Sequence, residues 1–133
     1  MFEWKPEYSI HLPEIDAQHQ RLFVLAAELH SALTKGKGYT VLEKCLANVV
    51  DYTKVHFATE ERLMAQYGYP DRSAHKAEHD KLTAQVLELQ KTFRAGDSNI
   101  SLDVLMFLKD WLQHHIGGSD QGFSVYIRGK LAA

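Results

Sequence analysis

The sequence predicts an all-α fold: an up-down-up-down four-helix bundle with an N-terminal arm and a short C-terminal helix. Turn signals at Gly36-Lys37-Gly38, Gly68-Tyr69-Pro70 and Gly96-Asp97-Ser98-Asn99 cut the chain into four long segments. Each segment repeats apolar residues at alternating steps of three and four, which is the stripe of an amphipathic helix. No stretch shows the period-two alternation of a half-buried strand.

Residues 1–15 carry Phe2, Trp4, Pro6, Tyr8, Ile10 and Pro13, an apolar arm broken by prolines and expected to pack across the helices. The first helix is expected from about Asp16, a suitable N-cap, to Lys35, with Ile15, His19, Leu22, Ala26, Leu29 and Leu33 on one face. The second opens on Thr40-Val41-Leu42-Glu43, a capping-box pattern, and its stripe is Leu42, Leu46, Val49, Thr53, His56, Glu60 and Leu63. The third, from Asp71 or Arg72 to Arg94, reads His75, His79, Leu82, Val86, Leu89 and Phe93. The fourth, from about Asn99, reads Leu102, Leu105, Leu108, Leu112 and His115, and beyond Asp120 the stretch from Gly122 to Lys130 forms a short terminal helix. Short connections make sequential helices antiparallel neighbours.

A chain of 133 residues is expected to be one domain, 1–133, burying about 70% of the surface of its unfolded form. Net charge −2 provides no electrostatic footprint for nucleic acid or an anionic membrane surface. No apolar run approaches the ~20 residues that span a bilayer, so membrane insertion is not expected. The lone Cys45 excludes an internal disulfide, and the start MFEWKPEYSI lacks the basic and apolar regions of an export signal. A cytoplasmic protein is the expectation.

The chemistry lies within the stripes. A residue and its fourth neighbour project from the same helix face, so His56 with Glu60, and His75 with His79, each give one helix two donors. Either pair alone is a weak signal. In an antiparallel bundle, however, His19 near the start of helix one, His56 and Glu60 late in helix two, His75 and His79 early in helix three and His115 late in helix four fall at the same end. Five imidazoles and a carboxylate converging in a dry core require a partner, because an unpaired buried polar group costs several kcal/mol, and metal supplies one. Asp120 lies five residues beyond His115, about 140° off that helix face, so it reaches the set only if the turn containing Gly117 and Gly118 loosens. His114 is off the stripe and reads as a neighbour of the site, His11 and His30 as surface or edge histidines, and Cys45 as a packing residue.

The set Asp16-Ala17-Gln18-His19, His56-Phe57 with Glu60-Glu61, Tyr67-Gly68-Tyr69-Pro70, His75 to His79, and Trp111-Leu112 with His115-Ile116 and Asp120 closely resembles the hemerythrin family, in particular its single-domain bacterial members. The resemblance runs from about Trp4 to about Ile127. It implies a four-helix bundle holding a non-haem di-iron centre of two Fe ions with a solvent-derived oxo or hydroxo bridge, and reversible O2 binding for transport, storage or delivery to oxygen-consuming enzymes. By resemblance His75, His79 and His115 hold one iron, His19 and His56 the other, and Glu60 and Asp120 bridge them, leaving one iron with an open position. Leu22, Phe23, Phe57, Trp111, Leu112 and Ile116 would form the O2 pocket. The implied protein is not an enzyme; it is a monomer whose partner is O2, with at most transient contact with an oxygen-consuming enzyme. The alternatives are a di-iron oxidase or peroxidase, which needs polar substrate-orienting groups, and an O2 or redox sensor acting through a partner. Two features depart from the family pattern: His11 stands where relatives often carry a small residue, and Gly117-Gly118 loosens the last ligand turn.

Overall fold

A computed structural model describes residues 3–96, 100–115 and 120–132, with side chains for all of these but 100–104 and 132. Phe2, Asp97-Ser98-Asn99, the Leu102 side chain, Ile116 and Gly117-Gly118 therefore lie outside the described residues. Five α-helices follow a 3-10 turn at Pro6–Tyr8: α1 Pro13–Thr34, α2 Tyr39–Tyr67, α3 Arg72–Arg94, α4 Ile100–His114 and α5 Asp120–Ala132. Helices α1 and α2, α2 and α3, α3 and α4, and α4 and α1 pack on one another, closing the four-helix bundle, and α5 lies against α2.

Two helix starts differ from expectation. Helix α1 begins at Pro13, three residues before Asp16, because a proline at the first position loses no hydrogen bond and is already set at helical φ. Asp16 therefore lies inside the first turn and does not cap the helix. Its carboxylate instead accepts from the Ser9 hydroxyl at 2.6 Å and the Ile10 amide at 2.9 Å, fastening the arm. Helix α2 starts at Tyr39 behind an N-cap Gly38 that has no side-chain cap, so Thr40 is already helical and the capping box does not form. Glu43 is drawn instead into an ion pair with Arg94 of α3 at 2.7 Å. Helix α2 ends on Gly68 at φ 64°, the left-handed conformation that glycine adopts without a Cβ penalty. The exposed His11 is the one described non-glycine residue in that region, at φ 60°.

The stripes point inward as their period requires. Every described stripe residue is buried except Leu33, Leu42, Leu63, Leu82 and Leu89, which are half-buried at the margins. The buried apolar residues form two clusters. The larger fills the bundle with Leu22, Ala26, Leu46, Val50, Phe57, Val86, Leu108 and Leu112 among others, and Trp4 and Tyr8 of the arm pack against it. The smaller joins Ile10 and Leu12 of the arm to Ile15, Met64, Phe123 and Ile127. Cys45 packs beside the larger cluster as expected. Helix α5 extends two residues beyond the expected span at each end.

A candidate metal centre between two apolar clusters

The polar layer sits where the two clusters meet. His19 lies one turn after Ile15 of the smaller cluster and three residues before Leu22 of the larger, while Glu60 lies between Phe57 and Met64 in the same way. His19, His56, Glu60 and Asp120 have no exposed surface, and His75, His79 and His115 are almost as deeply buried. Helix α1 supplies His19, α2 His56 and Glu60, α3 His75 and His79, and the end of α4 His115. At His115 the backbone is π-helical, and the turn between it and Asp120 lies outside the described residues. Asp120 is the first residue of α5.

All five histidines turn Nε2 toward the two carboxylates. His19 Nε2 lies 2.7 Å from Asp120 Oδ2, and His56 Nε2 is in close contact with Glu60 Oε1. His75 Nε2 lies 3.2 Å from both Glu60 Oε2 and Asp120 Oδ1. His79 Nε2 lies 3.7 Å from Glu60 Oε2, and His115 Nε2 is 3.1 Å from Glu60 Oε1 and from Asp120 Oδ2. Two overlapping donor sets result, within each of which all ligand atoms lie within 4.8 Å of one another: His19, His56, Glu60, His115 and Asp120, and Glu60, His75, His79, His115 and Asp120. The structure thus brings together every residue the stripes selected, with Glu60, Asp120 and His115 common to both sets.

Metal fits this arrangement on a direct test. Glu60 Oε2, both Asp120 oxygens and the Nε2 atoms of His75 and His79 are buried and have no hydrogen-bond partner. An unsatisfied buried donor or acceptor costs about 1–3 kcal/mol, and more when charged, so the layer is severely under-satisfied by protein alone. Imidazole nitrogen with carboxylate oxygen is a donor set suited to a first-row transition ion.

Protons partly compensate the charge. Burial raises the Glu60 carboxyl, but the His115 and His56 imidazoles outweigh it and hold the group well below its usual range. Burial and Glu60 push Asp120 up, yet His115 and His19 bring it to about 2. Burial alone would lower His75, but the Asp120 and Glu60 carboxylates facing it raise it to about 9, and the same balance raises His115 and His19. For His79 burial prevails, at about 3, and it also lowers His56.

Aromatic rings fix two of the imidazoles. Phe57 stacks on His79 with centroids 3.8 Å apart and planes 6° from parallel, and Trp111 lies nearly parallel to His115 at 5.9 Å. Leu22, Phe23, Phe57, Trp111 and Leu112, the described members of the expected O2 pocket, are all buried. His114 is exposed and bonds through Nδ1 to the Asp110 carbonyl at 2.7 Å, outside the cluster. His11 and His30 lie elsewhere, the former exposed and the latter half-buried.

The stripes did not reveal the groups behind the imidazoles. Gln18 Oε1 accepts from His56 Nδ1 at 2.9 Å, and its Nε2 donates to Thr59 at 3.0 Å. Glu61 Oε2 lies 3.7 Å from His79 Nδ1, and Glu78 Oε1 lies 3.6 Å from His115 Nδ1. Their signal in the sequence is adjacency: each is next to a ligand, about 100° round its helix.

Comparison with known proteins agrees with this geometry. The model of the hemerythrin HHE cation binding domain matches residues 11–125. The chain is 37% identical over 115 residues to a bacteriohemerythrin of Methylococcus capsulatus, covering 86% of this chain and 87% of the relative. It is 38% identical over 128 residues to a bacteriohemerythrin of Stenotrophomonas maltophilia, covering 96% of this chain and 82% of the relative. A crystal structure of wild-type hemerythrin superposes with TM-score 0.85 at 35% identity, over 92% of this chain and 94% of that one. A leucine-to-alanine variant of hemerythrin gives 0.86 at 34% identity, over 93% and 95%. With a family model covering most of its length and these ligands converging in its bundle, the chain belongs to the hemerythrin HHE cation-binding family.

Proposed function

We propose that the centre holds two iron ions and binds O2 reversibly, so that the protein carries, stores or delivers oxygen. The observation that supports this most is the pair of overlapping donor sets sharing Glu60 and Asp120. In this reading His75, His79 and His115 would hold one iron, His19 and His56 the other, and Glu60 and Asp120 would be shared by both. When bound, the ferrous pair supplies two electrons for reversible O2 binding, one from each ion.

The remaining work falls to the chain itself. In the metal-free protein the histidines hold the Glu60 and Asp120 carboxyls low, and both groups would meet a metal as carboxylates. Five neutral imidazoles against two carboxylates leave the site more positive than a carboxylate-rich one, which favours the ferrous pair. Leu22, Phe23, Phe57, Trp111 and Leu112 exclude water, and none offers a general acid or base for a substrate, which favours a carrier over an oxidase or peroxidase. The same reading makes the protein a monomer of the cytoplasm; among the described residues no helix is long and apolar enough to cross a membrane.

An anaerobic-to-aerobic optical titration of iron-loaded protein tests the reading. A charge-transfer band that appears with O2, disappears when O2 is removed and scales with two irons per chain is expected. Irreversible bleaching, or a single iron per chain, refutes it.

A further inference from the structure

The groups behind the imidazoles follow a direction around the bundle. From α1, Gln18 reaches His56 on α2 at 2.9 Å. From α2, Glu61 reaches His79 on α3 at 3.7 Å. From α3, Glu78 reaches His115 at the end of α4 at 3.6 Å. The two carboxylate contacts are longer than a hydrogen bond and within ion-pair reach. Each brace is the sequence neighbour of an inward ligand: Gln18 precedes His19, Glu61 follows Glu60, and Glu78 precedes His79. One helix therefore points a ligand at the centre and the adjacent residue at the next helix.

The sequence of braces stops between α4 and α1. His114 precedes His115 as Gln18 precedes His19, but it is exposed and bonds back to Asp110 of its own helix. His19 Nδ1, which such a residue would brace, is buried without a hydrogen-bond partner; His79 Nδ1 and His115 Nδ1 also lack a hydrogen bond, but each has a carboxylate oxygen within 4 Å.

We propose that Gln18, Glu61 and Glu78 are positioning residues that form an open ring of braces, each helix fixing the outer nitrogen of the next helix's ligand, with His19 left as the one unbraced member of that series. An acceptor at Nδ1 fixes the tautomer that leaves Nε2 free for metal, orients the ring and makes it a stronger donor, the more so when the acceptor is a carboxylate. The two carboxylate braces stand behind His79 and His115, both on the three-histidine metal under the proposed assignment, on which this inference rests. The neutral Gln18 amide stands behind His56, on the other metal, which also carries the unbraced His19. The two positions are thereby unequal: one is electron-rich and tightly held, the other more weakly held and less constrained.

Competition of the Co2+-loaded protein against a chelator, followed by the cobalt visible spectrum, tests the asymmetry without using O2. Two Co2+ per chain with separable affinities are expected. Glu61→Ala and Glu78→Ala each weaken the tighter ion about 10- to 100-fold, the usual range for loss of an outer partner, and leave the weaker within about two-fold. Gln18→Ala does the reverse. Glu78→Gln, which keeps an acceptor but loses the charge, recovers most of the tighter affinity, and in the iron form its midpoint potential is more positive than the parent's. Glu88→Ala, at an exposed acid of the same helix, changes neither affinity. If the parent binds two Co2+ and the three alanine variants stay within about two-fold of it at both positions, the braces are overturned and the ligand assignment stands. A parent holding fewer than two ions overturns the assignment and the inference with it.

Discussion

Replacing Leu112 by alanine separates packing from protection of the centre. Leu112 is 2% exposed, belongs to the larger apolar cluster and lies one turn before His115, with Leu108 and Trp111 beside it in that cluster. Losing its three outer carbons leaves a cavity, and leucine-to-alanine changes in such cores cost about 2–5 kcal/mol depending on how far the surroundings collapse. For 133 residues at about 2.1 cal/mol/K per residue, each kcal/mol lowers Tm by about 4 °C, so calorimetry of the iron-loaded variant should show a fall of about 7–18 °C. A purely apolar cavity of this kind stays dry, but Leu112 is one turn from His115, whose polar layer could give water its hydrogen bonds. Under the proposed function, water admitted beside the centre would shorten the life of the ferrous form, so the variant should keep two irons and bind O2 yet autoxidise faster than the parent. An unchanged autoxidation rate in a variant with full iron content and lowered Tm would show that Leu112 only fills space and that another group shields the site.

His115→Ala should lose at least one metal ion while the neighbouring His114→Ala keeps both, as read by metal analysis; equal behaviour would place the ligand on the wrong helix face. In metal-free protein His75 is held at about 9, and His19 and His115 are also raised, against an unfolded value near 6.5. The His75 stabilisation is complete below pH 6.5 and is lost as pH rises through about 9, with His19 and His115 acting in the same direction, whereas His56, His79 and the two carboxylates have the same charge in both states over that interval. The metal-free Tm should therefore fall between pH 7 and 9.5 far more than the metal-loaded Tm, and metal binding at pH 7 should release protons, measurable by calorimetry in buffers of different ionisation enthalpy; no proton release would refute the charge assignment. Ser124→Ala removes the buried hydroxyl that donates to the Ile10 carbonyl and should cost about 1–3 kcal/mol in denaturant unfolding, with an unchanged midpoint showing that water replaces the bond.

The stripes made the ligands legible because one period serves two purposes. A residue placed inward by the three-four repeat is inward whether it is leucine or histidine, so His19, His56, Glu60, His75, His79 and His115 could be read from the register that placed Leu22, Val49 and Val86. Helix starts were less legible, because a capping box is a statement about backbone as well as side chains. Pro13 and Gly38 moved both starts upstream, and the would-be caps Asp16 and Glu43 found tertiary partners instead. Gln18, Glu61 and Glu78 were hidden for a different reason. They sit off the stripe on partly exposed flanks, where a polar residue is ordinarily solvated, and only the packing of adjacent helices gives them imidazoles to meet.

Asp120 shows how the non-ligating arm enters the chemistry. It lies on α5, outside the four bundle helices, so its position depends on what holds α5. Helix α5 is held by Phe123 and Ile127 in the smaller cluster with Ile10, Leu12 and Ile15. Ser124 bonds to Ile10, and the Tyr126 hydroxyl donates to the Tyr67 and Gly68 carbonyls at the end of α2 at 2.9 and 3.1 Å. Asp16 in turn fixes the Ile10 amide, three residues before His19. The bonds from Asp16 to the arm and from the arm to α5 thus make a continuous path between the helix carrying His19 and the residue whose oxygen lies 2.7 Å from it. A carboxylate facing all the other ligands needs that rigidity, since at its distances of 2.7–3.2 Å from three imidazoles a shift of one ångström would remove it from the set.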